Sequence, residues 1–131
     1  MTLKMSAITY LVQDYDEAIA WFRDALGFVL VEDTDMGEGK RWVLVAPNNG
    51  GVRLLLAKAV GQKQIGAIGK AAGGRVAFFL NTENFTHDHA RMMAAGVKFN
   101  ETPRHEPYGT VAVFCDLYGN LWDLIEPTPK N

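Results

Sequence analysis

Cysteine is almost missing from this chain. Cys115 is the only one among 131 residues, which excludes an internal disulfide and any metal site built from several thiolates of one chain. A reducing compartment fits that count. Long apolar runs are missing too. None approaches the roughly 20 residues that span a bilayer, and Met1 to Thr9 lack the charged start and long apolar core of a secretory leader. The expectation is a cytoplasmic protein with no membrane partner. Nor does charge of one sign dominate: 13 Lys and Arg stand against 15 Asp and Glu, interleaved along the chain, for a formal charge of −2. Without a basic patch, a nucleic-acid partner is disfavoured. No phosphate-binding glycine loop and no serine-hydrolase elbow occur.

What is present suffices for a core. Hydrophobic residues make up 48% and charged residues 21%, ordinary values for a globular domain. A domain of this length buries about two-thirds of the surface its unfolded chain exposes. No staple is required.

Repetition organises the sequence. In a first module, residues 5–58, the segment Ala7 to Val12 alternates as a strand. Asp14 then caps a helix carrying Ile19, Phe22 and Leu26 at helical spacing, Glu17 completes a capping-box variant, and Gly27 supplies the left-handed end. Strands follow at Phe28 to Glu32, Arg41 to Ala46 and Gly51 to Ala57, separated by the turn-formers Gly37, Gly39, Asn48, Asn49 and Gly50. A second module, residues 74–127, repeats the order. Arg75 to Leu80 is its first strand, and Asn84 to Ala95 its helix, with Phe85, His89, Met92 and Met93 on one side and Gly96 at the end. Strands at Val97 to Thr102, Thr110 to Cys115 and Leu121 to Glu126 complete it, with a turn at Tyr118 to Asn120. Gly27-Phe28 matches Gly96-Val97, and Gly50 before Leu54 matches Gly119 before Asp123. Residues 59–73 form a Gly- and Ala-rich linker, with Ile65 and Ile68 its bulky apolar residues, able to fold over a site. The expected fold class is α+β: one domain, 1–131, of two β-α-β-β-β modules whose mixed sheet curves into a groove with the helices outside.

Strand alternation assigns faces. Ile8, Tyr10 and Val12 belong under the first helix, leaving Ala7, Thr9 and Leu11 to the groove. Val76, Phe78 and Leu80 go under the second helix, leaving Arg75, Ala77 and Phe79. In the closing strands the groove face is expected to carry Val52, Leu54 and Leu56, and Leu121, Asp123 and Ile125.

The paired modules, the string Val12-Gln-Asp-Tyr-Asp-Glu-Ala-Ile-Ala-Trp-Phe-Arg-Asp-Ala-Leu-Gly-Phe28 and the closing Phe114-Cys-Asp-Leu-Tyr-Gly-Asn-Leu-Trp-Asp-Leu-Ile-Glu-Pro127 together resemble the vicinal oxygen chelate superfamily. That superfamily includes glyoxalase I, the bleomycin and fosfomycin resistance proteins and the extradiol dioxygenases. The resemblance covers nearly the whole chain and implies a dimer, with a divalent metal in the groove of the enzymes. It also implies four ligand positions, usually His, Glu or Gln, which fall here on Ala7, Leu54, Arg75 and Asp123. Only Asp123 can ligate, and a cationic Arg75 opposes a metal. The expectation is a metal-free member without a cofactor.

Two readings of Arg75 stand. Its guanidinium can occupy the place of the metal and pair with Asp123, or it can offer its fork to a ligand oxyanion. The loop Pro103-Arg-His-Glu-Pro-Tyr-Gly109 is either a connection shaped by its prolines, with Tyr108 covering the core, or the mouth of a site. His87 and His89 lie two apart and share no helix face, so His87 reads as exposed and His89 as partly packed. Glu126 is out of phase with Asp123. Trp42 and Trp122 read as core or dimer contacts, and Cys115 as a buried inert thiol.

The leading expectation is a homodimeric, glyoxalase- or bleomycin-resistance-like protein that binds, and can transform, a small organic molecule in the groove. Its ligand-binding residues are Thr9, Leu54, Leu56, Arg75, Ala77, Phe79, Arg104, Tyr108 and Ile125. Asp123 and His105 are the candidates for acid–base catalysis without metal. The alternative is a metal-dependent lyase or dioxygenase in which Tyr10 or Thr9 replaces Ala7 and His105 reaches inward.

Overall fold

The structure is a computed structural model that describes residues 2–47 and 51–129. The chain is a mixed α+β protein, and it divides after Ile68 into two compact units.

In the first unit β1 (Ala7–Val12) leads into α1 (Tyr15–Leu26). The Asp14 carboxylate accepts the Glu17 N–H at 2.8 Å, and Gly27, at φ 69°, returns its N–H to the carbonyls of Arg23 and Phe22. Both ends of α1 are thereby satisfied by residues whose side chain or conformation suits the place. β2 (Val29–Asp35), β3 (Arg41–Ala46) and β4 (Arg53–Lys58) complete a sheet of order β1-β4-β3-β2, in which only the β1–β4 pair is parallel. Its helix-covered side buries Tyr10, Val12, Phe22, Val43, Val45 and Leu56. Tyr10 meets Phe22 edge-to-face at 5.2 Å, a preferred aromatic geometry. β2 is exposed along its whole length and pairs on one side only, with a register shift between Leu30 and Glu32. The expected turn residues Asn48, Asn49 and Gly50 lie outside the described residues.

The expected linker is not plain coil. It contains α2 (Gly61–Ala67), seven residues with no buried side chain, started by the Gln64 amide oxygen accepting the Val60 N–H at 2.9 Å. Gly69 follows with φ 79°, packed so closely on the Tyr118 carbonyl that no side chain could replace its hydrogen. The Ala71 N–H is held by the Asn120 side chain at 3.0 Å. Residues from Gly69 onward thus belong to the second unit.

That unit runs β5 (Val76–Asn81), α3 (Phe85–Ala94), β6 (Lys98–Phe99), β7 (Arg104–Glu106), β8 (Gly109–Cys115) and β9 (Leu121–Pro127). β5 is parallel to β9, β9 pairs β8, and β8 pairs both β6 and β7. The strand expected over Val97 to Thr102 shortens to β6, and the segment expected as a loop over Pro103 to Gly109 contains the short strand β7. Between β6 and β7 the Glu101 carboxylate takes the Val113 N–H at 3.0 Å in place of a ladder carbonyl, and Pro103 brings no N–H of its own. Phe114, Trp122, Leu124 and Met92 fill the core under α3. The tight turn before β9 is organised by Asp116, whose carboxylate accepts the Trp122 indole N–H at 2.9 Å and the backbone N–H groups of Tyr118 and Asn120.

Candidate functional site

Strand register decides which side chains share a face, because paired residues project to the same side. In the first sheet Ile8 pairs Leu54 and Tyr10 pairs Leu56. Leu54 and Leu56 therefore lie on the helix side, at 5% and 0% exposure, and not on the groove face expected of them. Thr9 and Leu55 take the other face, as register partners. Val52 precedes β4. Three consecutive leucines carry no alternation, so only the pairing with β1 could set this phase.

In the second sheet Phe79, Asp123 and Val113 are neighbours across β5, β9 and β8, on the face away from α3. One rung along, Ile125, Val111 and Arg104 share that face. Phe79 is 65% exposed and Tyr108 54%. Oδ1 of Asp123 is buried and has no hydrogen-bond partner among the described residues. Burial pushes the Asp123 carboxyl above the usual carboxylate range; the Arg104 charge opposes this and the Glu101 charge adds to it. Arg104 gives Asp123 little relief because its fork is taken: Nε donates to Glu101 at 2.9 Å and Nη1 to Glu106 at 3.2 Å.

Arg75 does not pair with Asp123. It is exposed in the bend before β5, four residues short of Phe79, the register partner of Asp123. At about 3.3 Å per residue that is roughly 13 Å along the strand, and among the described residues no ion pair joins the two. His105 also departs from expectation. It pairs Thr110, and through it aligns with Glu126, on the α3 side of the sheet. There its Nδ1 lies 3.2 Å from the Thr110 hydroxyl, in a cleft of about 380 Å³ with Phe85, His89 and Glu126. The two proposed acid–base groups are separated by the sheet itself. Glu126 accepts the Phe85 N–H at 2.7 Å and so serves α3.

The remaining candidates divide plainly. His89 stacks on Phe85, with ring centroids 5.3 Å apart, and packs against Phe99 at 4.4 Å, while His87 is exposed beside Asp88. Trp122 is core, whereas Trp42 is 41% exposed and is no core residue. Cys115 is half-buried, with its thiol 3.1 Å from the Asn100 side-chain oxygen. Sequence reasoning missed Glu101, although its spacing from Arg104 and Glu106, three and five residues on, is the pattern that clamps the arginine.

The donors for a superfamily metal are not assembled. Asp123 has Phe79 and Val113 as face neighbours, neither with a donor, and Glu101 is spent on Arg104 and the Val113 N–H. Among the described residues no three His, Cys, Asp or Glu side chains are grouped to hold an ion. Tyr10 is buried on the helix side of the first sheet, so neither it nor His105 can stand in for the missing ligands. The residues present do not fit the metal.

Two β-α-β-β-β units with a polar residue at the centre of one open sheet face define the class, and residues 4–124 match the family model of the glyoxalase/bleomycin resistance protein/dioxygenase superfamily. The chain belongs to that superfamily. It is 52% identical over 125 residues to an uncharacterized protein of Shewanella frigidimarina (strain NCIMB 400), covering 94% of this chain and 93% of that one. Among solved structures it is similar to UcmS2, with a TM-score of 0.82 at 32% identity, covering 96% of this chain and 99% of UcmS2. It is also similar to TnmS3, an antibiotic binding protein from Streptomyces sp. CB03234, with a TM-score of 0.75 at 25% identity over 97% and 98% of the two chains. No helix is long and apolar enough to cross a membrane among the described residues.

Proposed function

We propose that the protein binds a small organic molecule of antibiotic type on the Asp123 face of its second sheet, without a divalent metal. The observation that carries this reading is the unpartnered, buried Asp123 Oδ1 on a face that also presents the open ring of Phe79. A buried acceptor left without a donor costs free energy, about 1–3 kcal/mol for a neutral group and more for a charged one. A ligand N–H or O–H delivered to Oδ1 recovers that cost. Phe79 offers a surface for a flat ring, and Ile125 lies one rung along on the same face. The similarity to an antibiotic binding protein supports the ligand class. Binding requires no reaction step, and the separation of His105 from Asp123 removes the simplest acid–base pair.

The test is a thermal-shift screen of an antibiotic panel against the wild type and Asp123→Ala. At least one polycyclic compound with a ring hydroxyl or amine is expected to raise Tm by several degrees, as ligand at about 100 Kd adds about 2.7 kcal/mol. The variant should lose that shift. No shift with any compound, or an undiminished shift in Asp123→Ala, overturns the reading. Mass analysis of the purified protein for metals tests the remaining clause: a stoichiometric divalent ion refutes it. Light scattering on the same sample is expected to return two copies per particle, the homodimer that the family resemblance implies.

A further inference from the structure

Charge is unevenly placed on the open sheet face of the second unit. Register sets Asp123 beside Phe79 and Val113, with Arg104 one rung along, on the same side as Val111 and Ile125. Glu106, two residues on from Arg104 in β7, shares that side and accepts from the Arg104 Nη1 at 3.2 Å. Glu101 reaches the same guanidinium from the segment before β7 and accepts from its Nε at 2.9 Å. Three acids therefore stand against one base.

The base does not serve all three. Arg104 is committed to Glu101 and Glu106, and Glu101 spends its other oxygen on the Val113 N–H at 3.0 Å. Asp123 is the acid left over, its Oδ1 buried with no donor among the described residues. Burial outweighs the distant Arg104 charge and holds the Asp123 carboxyl above the usual range, with the Glu101 charge adding to the effect. A charge kept out of water without a counter-charge is costly. A neutral O–H on a ligand supplies one hydrogen bond there. An ammonium supplies the bond and the missing positive charge together, and such charge-assisted bonds are roughly twice as strong as neutral ones. An anion meets repulsion from the same three acids.

Given a small-molecule ligand on the Asp123 face, the reading on which this step rests, we propose that the ligand is a cation: a protonated amine one or two carbons from a flat aromatic ring, its ammonium on Asp123 and its ring on Phe79. The sheet sets that spacing. Phe79 and Asp123 are register partners on adjacent strands, which lie about 4.8 Å apart, and Phe79 is 65% exposed, so a short linker joins the two contacts.

The experiment titrates the full-length protein with 2-naphthylmethylamine, 2-naphthylmethanol and 2-naphthoate by calorimetry at neutral pH and low ionic strength, where screening is weakest. The three probes share a ring system and are cationic, neutral and anionic. The amine is expected to bind about tenfold more tightly than the alcohol, a difference of about 1.4 kcal/mol, and the naphthoate more weakly than either. Asp123→Asn, which keeps the shape and removes the charge, should bring amine and alcohol within about twofold, and Phe79→Ala should weaken both. No binding of the amine, an alcohol or naphthoate that binds the wild type as tightly as the amine, or an amine preference intact in Asp123→Asn overturns the proposal. Asp123→Ala separates this failure from failure of the site. Amine and alcohol that bind equally and are both lost in that variant refute the charge preference alone, whereas binding undiminished there refutes the Asp123 face as well. Far-UV circular dichroism confirms that each variant is folded. If Asp123→Asn is not, the ranking of the three probes on the wild type decides alone.

Discussion

Leu55 and Asp123 occupy matching places in the two units: each is central in the strand parallel to its unit's first strand, and each faces away from its unit's long helix. The first unit spends this position on an aliphatic side chain beside Thr9. The second spends it on a carboxylate whose buried oxygen has no partner among the described residues. Their charged groups follow opposite patterns. Arg41 holds Asp33 below the usual carboxylate range, while burial drives Asp123 above it. A repeated scaffold thus holds one set of charges that stabilises it and one that does not, and the second kind is where a ligand has something to offer.

Core substitutions bring the largest effects and ask which unit is the better packed. Phe22 contacts the rings of Tyr10, Trp21 and Phe28, so Phe22→Ala is expected to cost about 3–5 kcal/mol in equilibrium denaturation, and Met92→Ala in α3 about 2–5. A larger loss at Met92 would reverse the ranking of the two cores. Next is Asp116, in the turn before β9. Asp116→Ala strands the Trp122 indole N–H and two backbone donors and should cost about 2–3 kcal/mol, read from the same denaturation curves.

Asp123→Leu, which gives the second sheet the residue type of the first, is expected to raise stability by about 1 kcal/mol at neutral pH while abolishing ligand-induced thermal shifts. Its pH signature has a definite sign. The folded-state pKa of Asp123 is raised, so between the unfolded and folded values the unfolded chain holds fewer protons, and stability falls as pH climbs through that window. Asp33 behaves oppositely: its contribution is present above the unfolded value and is lost as pH falls through its lowered folded value. In Asp123→Leu the decline with rising pH should vanish. A pH–stability profile identical to the wild type would show that Asp123 is compensated after all. The smallest effect belongs to Glu38, whose φ of 57° suits glycine better. Glu38→Gly should add roughly 0.5 kcal/mol in equilibrium denaturation, from strain relieved less entropy lost.

Much of this fold could be read in advance because its punctuation is chemical. Asp14, Gly27 and Asn84 sit where a cap or a left-handed turn is needed, and strands bounded by such residues are found within a few positions of where alternation puts them. The failures share a cause: each depended on pairing that alternation within one strand does not encode. The phase of β4 is set by β1, and the face of His105 by its register with Thr110. The Arg75–Asp123 pair fails because β5 starts one residue late and its register aligns Phe79, not Arg75, with Asp123. α2 is illegible for another reason, since Gly61-Gln-Lys-Gln-Ile-Gly-Ala67 offers no apolar stripe and its N-cap residue, Val60, has no side chain able to cap.

The lone-sided pairing of β2 bears on how the protein behaves in a test tube. A bare strand edge carrying Val29, Leu30 and Val31 in the open is a template for another chain, and its acidic half, Glu32, Asp33 and Asp35, repels a second copy of itself. Arg41 holds Asp33 ionised below the usual carboxylate range, so this stretch of the edge keeps a charge into acid, and neutralising it by substitution should leave the strand freer to pair with another copy.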